Sequence, residues 1–221
     1  MAARLANQVR DWLVSVAPAG RPRSEVRRAP GELEPLGPWS HTGARLPDDR
    51  RAPVVAVLTY RGVSSTEVEL VGDALARPLA AEVRLVSADG GPVVAVEPAR
   101  QLLTEPLEAV PEPFGLVVPG GLAWKLEAER PEVVEWLGRV ARTARGVLAV
   151  STGSLLLASV GVLADRDATG HWLAGDLLAG LGARPSSARI VHGRLLATTT
   201  GHRAGVEAAA ELAREMRFAP R

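Results

Sequence analysis

Residues 146–172 read GVLAVSTGSLLLASVGVLADRDATGHW, and this stretch decides the fold. Gly146 opens a short aliphatic and β-branched run, Val147 to Val150, which has the pattern of a buried strand. Ser151 follows at once, and an apolar helical pattern then runs through Leu155, Leu156, Leu157 and Val160. A strand that becomes a helix without a loop leaves one residue at the bend. Its side chain stands at the carboxyl end of the sheet, and the amides behind it form the first helical turn. Hydroxyl or thiol chemistry is commonly mounted on such an elbow. Ala149-Val150-Ser151-Thr152-Gly153 has its small-x-Ser-x-Gly shape, with Ala where Gly is usual.

Working outward, apolar strands alternate with helical patterns. Val54–Leu58 reads as a buried parallel strand and Thr66–Ala76 as the helix after it. Glu82–Ser87 is a second strand, Val93–Val96 a short third, and Phe114–Val118 a fourth that ends at Pro119-Gly120-Gly121. A helix starts at Pro131, where proline suits the first turn, and runs to about Thr143. Beyond the elbow come a helix near Leu173–Leu181 and two strands, Arg189–Val191 and Leu195–Thr200, turned by His192-Gly193. A helix over Ala204–Met216 closes the domain. The alternation predicts an α/β fold: a doubly wound, mostly parallel, flavodoxin-like sheet with helices on both faces. Sites in such sheets lie beyond the carboxyl ends of the strands. Ser151, Gly120, Gly121 and the turn from Gly62 to Glu67 all fall there.

Three segments are expected. Residues 1–16 form an amphipathic helix, with Leu5, Val9, Trp12, Leu13 and Val16 on one stripe that needs a cover from its own domain or a partner subunit. Residues 17–52 form a Pro/Arg-rich arm on the surface. Seven prolines between positions 18 and 53 cannot sustain a helix or an interior strand. Residues 53–221 form the α/β domain. The chain has 221 residues, 47% of them hydrophobic, and a net charge of +1, enough for one core and with no electrostatic case for nucleic acid. No apolar run approaches the ~20 residues of a membrane span. The N-terminal residues lack the continuous apolar core of a signal peptide, so a cytoplasmic protein is expected. There are no cysteines, which removes disulfides and every thiolate.

The candidate site residues carry two readings each. Ser151 suits a helix N-cap, which is all that a serine at a helix start usually is, or a site hydroxyl. A serine is too weak an acid to ionise as a thiol would, so a nucleophilic role needs a base within hydrogen-bond reach. Ser64-Ser65-Thr66-Glu67 fits a capping box, yet Glu67 also shares the helical stripe of Val71 and Leu75. A carboxylate on a buried stripe must be paired, protonated or in a pocket. His171 is a candidate base, with His192 and His202 weaker beside turn-like glycines. The amides of Gly120, Gly121 and Thr152 can form an oxyanion or substrate-binding pocket that needs no thiol. No His/Asp/Glu grouping has metal-ligand spacing, so neither metal nor other cofactor is expected.

Val150-Ser151-Thr152-Gly153, Leu155–Leu157, Gly161 and Ala168-Thr169-Gly170-His171-Trp172 resemble the central block of the ThiJ/PfpI superfamily, one branch of which writes V-C-T-G … T-H-W. Pro119-Gly120-Gly121 and Gly62-x-x-x-x-Glu67 match as well, so the likeness runs from about Pro53 to Met216. The resemblance implies a class I glutamine amidotransferase-like fold, an acidic residue at Glu67 that hydrogen-bonds the elbow side chain, and a homodimer. The family's cysteine is Ser151 here, so thiol-dependent glyoxal hydration is not expected. The branch includes isonitrile hydratases and the sensor halves of AraC-like regulators; no helix-turn-helix follows the last helix, so a standalone protein is expected. The leading expectation is a small-molecule lyase or hydratase with Glu67 as acid and base and Ser151 orienting or relaying. The alternatives are a non-catalytic ligand-binding protein and a hydrolase using Ser151 and His171.

Overall fold

The computed structural model describes residues 23–28 and 52–218. Its elements in chain order are β1 (Arg23–Arg28), β2 (Val54–Leu58), α1 (Ser65–Ala76), β3 (Glu82–Ser87), β4 (Gly91–Ala95), β5 (Arg100–Pro106), β6 (Gly115–Val118), α2 (Trp124–Ala128), α3 (Pro131–Thr143), β7 (Gly146–Val150), α4 (Gly153–Ser159), β8 (Asp167–Ala168), α5 (Gly175–Gly180), β9 (Arg184–Pro185), β10 (Ala188–Gly193), β11 (Leu196–Thr199) and α6 (His202–Phe218). Nine strands form one sheet in the order β1-β10-β11-β7-β6-β2-β3-β5-β4, while β8 and β9 pair separately. β2, β6 and β7 run parallel side by side, in the register Val55↔Gly115 and Leu116↔Val147. Their side chains are buried on both faces, as continuous apolar runs in a covered sheet require. α1 and α6 pack together over one face, and α2, α3 and α4 pack with one another elsewhere on the sheet. The doubly wound, mostly parallel architecture is the one the sequence pattern demands.

The chain leaves β2 for β3 on one side and later returns to β6 on the other. The crevice between the carboxyl ends of β2 and β6 is therefore the topological switch point of the sheet. The Gly62–Glu67 turn and Pro119–Gly121 meet there: the Ser64 amide donates to Gly120 O at 2.9 Å and the Leu122 amide to Gly62 O at 2.9 Å.

Three departures from the sequence reading have physical causes. The third strand is the first arm of an antiparallel hairpin, β4 with β5, and β5 was not expected. Its sequence RQLLTEP buries only Leu102, because it lies near the sheet edge, and so carries little apolar signal. His192 and Gly193 both belong to strand β10, and His192 is 5% exposed, so the turn falls instead at Arg194–Leu195, with Leu195 at φ +56°. Residues 23–28 of the arm add a parallel strand to the edge of β10, a position that polar sequence can occupy. The amphipathic helix expected over residues 1–16, and the remainder of the arm outside 23–28 and 52, lie outside the described residues.

Candidate active site

Ser151 sits between β7 and α4 with φ at +55°, in the left-handed region. A side chain there costs about 1–2 kcal/mol relative to right-handed backbone. Two contacts hold the bend. The Ser151 amide donates to Thr199 O at 2.8 Å, and Gly170 packs so closely on Ser151 O that a Cβ there would lie 2.8 Å away. Ser151 is not a helix cap: the N-cap of α4 is Thr152, which makes no side-chain capping bond. Among the described residues, Ser151 Oγ has no hydrogen-bond partner, so the hydroxyl is available to a ligand. If the strain serves the site and not the fold, Ser151→Gly should raise stability by about 1 kcal/mol, whereas Ser151→Ala should not. Urea unfolding of the two variants checks this.

Glu67 lies in the first turn of α1 and is 6% exposed. Ser64 is the N-cap, accepting the Glu67 amide at 3.4 Å, as the capping pattern requires. The reciprocal half of the capping box is absent. The Ser64 amide goes to Gly120 O, and the Glu67 carboxylate turns into the crevice, where Gly120 N donates to Oε2 at 2.6 Å. Burial raises the Glu67 pKa from 4.5 to about 7, with the Gly120 amide opposing the rise and the nearby Glu97 carboxylate adding to it.

The glycine turn does different work from that expected of it. The Gly120 amide holds Glu67, and the Gly121 amide donates to Thr152 Oγ1 at 2.9 Å, while Thr152 Oγ1 returns a bond to Gly121 O at 3.1 Å. Two of the three amides proposed for an oxyanion pocket are thus committed within the protein, because two side chains in the crevice need donors. Gly120 also brings the turn against the elbow. A Cβ at Gly120 would lie 2.8 Å from Ser151 Cβ and 3.0 Å from both Ser151 Oγ and the Thr152 amide nitrogen. Glu67, Gly120, Ser151 and Thr152 therefore form one contiguous constellation.

His171 is half-buried beside the elbow, and its ring lies 5.8 Å from that of Trp172. Its Nδ1 accepts the Leu173 amide at 3.3 Å, and among the described residues no bond joins it to Ser151. Burial lowers its pKa, with Glu97 opposing, so the ring is held neutral. An acceptor Nδ1 places the proton of the neutral ring on Nε2.

Two residues of the crevice escaped the sequence reading. Tyr60, the sole tyrosine, is 2% exposed and donates its hydroxyl to Pro119 O at 3.0 Å. Burial raises its pKa, and the charges of Glu67 and Glu127 act in the same direction. Glu97 stands at φ +57° in the β4–β5 loop, where Thr66 Oγ1 donates to its carbonyl at 2.5 Å and Ser65 Oγ bonds the carbonyls of Val96 and Pro98. The loop is thereby tied to the first turn of α1. Neither residue has a motif; only the hairpin's return over α1 brings Glu97 to the site.

The sequence of the DJ-1/PfpI family matches residues 53–215 of this chain. The isonitrile hydratase of Pseudomonas putida is 35% identical over 152 residues, covering 68% of this chain and 67% of that protein. A transcriptional regulator of Pseudomonas aeruginosa, CdhR of the HTH type, is 37% identical over 92 residues, 42% of this chain and 27% of the regulator. Among solved structures, a ThiJ/PfpI protein from Pseudomonas syringae superposes with a TM-score of 0.65 at 24% identity, over 87% of this chain and 83% of the other. DJ-1beta of Drosophila melanogaster gives a TM-score of 0.66 at 21% identity, over 75% and 91%. The strained elbow, the buried glutamate and the glycine turn between them stand within the matched residues, and the chain belongs to the DJ-1/PfpI family.

Proposed function

We propose that this protein is a hydratase of a small uncharged substrate, with the Glu67 carboxyl as both acid and base. One observation carries the reading: a buried carboxyl group, raised to about 7 by desolvation, beside an unpartnered hydroxyl on a strained elbow. A proton donor works best when its pKa lies near the working pH, and an ordinary glutamate would be almost fully ionised there. Similarity to an isonitrile hydratase suggests the substrate class. For an isonitrile, Glu67 would give its proton to the terminal carbon, and water would add to that carbon. The resulting carboxylate would take a proton from the water, and tautomerisation would yield the N-substituted formamide. Ser151 Oγ would orient the substrate or the water, and the Thr152 amide would donate to the oxygen of the adding water and so position it, since the Gly120 and Gly121 amides have partners.

The sequence match to a transcriptional regulator favours a second reading, a ligand-binding protein that keeps the pocket without the chemistry. The geometry of His171 speaks against a serine hydrolase: it has no bond to Ser151, and its Nδ1 is already an acceptor. A pairing of subunits is part of the proposal and is supported by the Trp12 stripe and the family likeness.

The full chain assayed with a small isonitrile should show turnover. Ser151→Ala should cost about fivefold, since an orienting hydrogen bond is worth ~1 kcal/mol. Glu67→Gln should cost about 10²–10⁴-fold. The reverse ranking, or an acyl adduct on Ser151 by mass spectrometry, would overturn this assignment. Binding without turnover would establish the second reading.

A further inference from the structure

Glu97 stands at the crevice but has no part in the chemistry proposed for it. Its backbone, in the loop between β4 and β5, holds φ at +57°, a region that side chains other than glycine rarely adopt. The loop is pinned in that shape against the turn that carries Glu67. Thr66 Oγ1 donates to Glu97 O, Ser65 Oγ bonds the carbonyls of Val96 and Pro98 on either side, and the Ser65 amide donates to Val96 O at 2.8 Å. Strain held in place by such contacts clusters at ligand sites. The side chain is exposed, and among the described residues its carboxylate has no hydrogen bond and no ion pair.

The charge of Glu97 reaches both ionisable groups of the crevice. Burial raises the pKa of Glu67 and lowers that of His171, and Glu97 acts on each in addition, upward in both cases. Glu67 comes from α1 and His171 from the segment after β8, so a charge that acts on both stands over the space they share. Among the described residues, no Arg or Lys charge acts on either group. Two cations nearby in the chain are placed elsewhere: Arg100 pairs with Glu69, and Arg61 lines a separate cleft that neither Glu67 nor Ser151 borders. A crevice whose entrance carries one sign of charge sorts small molecules by theirs.

We propose that Glu97 is a specificity-determining residue, whose carboxylate at the mouth of the elbow crevice turns away substrates with a negative group and admits neutral and cationic ones. This rests on the reading of that crevice as the substrate site, but not on the reaction assigned to it. An isonitrile bearing a free carboxylate is then a poor substrate, and its methyl ester a good one.

The test needs no turnover. Ser151→Cys puts the chain's only thiol at the elbow, where iodoacetamide and iodoacetate alkylate it by displacing iodide. The two reagents are close in size and differ by one negative charge. Their rate ratio at a single thiol is independent of its thiolate fraction. At about pH 6, where Glu67 keeps its proton, the preference for the neutral reagent should be about fivefold larger in Ser151→Cys than after adding Glu97→Gln. Glu97→Asp in place of Glu97→Gln should recover the preference, Glu97→Lys should turn it toward iodoacetate, and salt at about 0.5 M should abolish the difference. A preference that survives Glu97→Gln, fails to return with Glu97→Asp or ignores salt would overturn the proposal, as would no alkylation by either reagent. The expected ratios in a protein that turns over no isonitrile would uphold this inference and sink the hydratase reading.

Discussion

Glu67→Gln is expected to remove turnover and, at the same time, to stabilise the protein above neutral pH. The side chain is 6% exposed, and burial holds its pKa at about 7, against 4.5 when it is free in water. In the unfolded chain the group ionises from about pH 4.5 upward, while in the folded chain it keeps its proton until about pH 7. The folded state therefore binds more protons between those values, and stability falls as pH rises through that window. The loss is complete above the folded pKa and amounts to about 3 kcal/mol, at ~1.4 kcal/mol for each tenfold change in proton affinity. Glutamine is neutral at every pH and can still accept the Gly120 amide. Denaturant unfolding should give equal stabilities for the two proteins below about pH 4.5, a gap that opens toward pH 7, and a constant gap beyond it. A gap that runs the other way, or is absent at pH 8, would show that Glu67 is not held protonated by burial. Activity should fall about 10²–10⁴-fold over the same pH range. Gain of stability with loss of activity is the signature of a group kept in an unfavourable place for its chemistry.

Gly153→Ala is expected to be the most damaging single methyl in the domain. A Cβ on Gly153 would stand 2.0 Å from Val118 O and 2.8 Å from Pro119 O. Those oxygens are backbone atoms at the end of β6, next to β7 in the sheet, so they cannot swing aside as a flexible side chain would. The clash must be relieved by moving α4 off the sheet, which opens the elbow and separates Ser151 from Gly120. Overpacking of this kind costs about 3 kcal/mol, which for a chain of this length lowers Tm by about 10 °C. Gly175→Ala is the control, since a Cβ at Gly175 meets nothing within 4 Å. Scanning calorimetry should find it close to the parent protein. If Gly153→Ala melts with the parent as well, the close packing of α4 on β6 is not what holds the elbow.

The elbow and its setting were legible in the sequence because they depend on local rules. A β-branched run, a serine and a helical stripe in immediate succession can only bend at Ser151, and the structure puts that residue at φ +55° between β7 and α4. Apolar runs without alternation are buried on both faces, so Val54–Leu58 and Val147–Val150 had to lie inside a covered sheet. Proline at position 131 and the Ser64 cap fixed two helix starts for the same local reason. The placement of Glu67 on the apolar stripe of α1 announced a buried carboxyl, though not its partner.

Tertiary structure decided the rest, because the deciding contacts are remote in the chain. Only the adjacency of β2 and β6 brings the Gly120 amide to Glu67, and only that bond shows the carboxylate turned away from its own helix cap. The oxyanion role expected of Gly120 and Gly121 was open until their amides were found to have partners 53 and 31 residues away. Strand β5 was hidden because, next to the edge strand β4, it buries only one side chain and so writes no periodic signal. The same hairpin carries Glu97 to the site. Composition and periodicity record what each segment buries. Which charges meet, and which is left without a partner, is settled only when the segments pack.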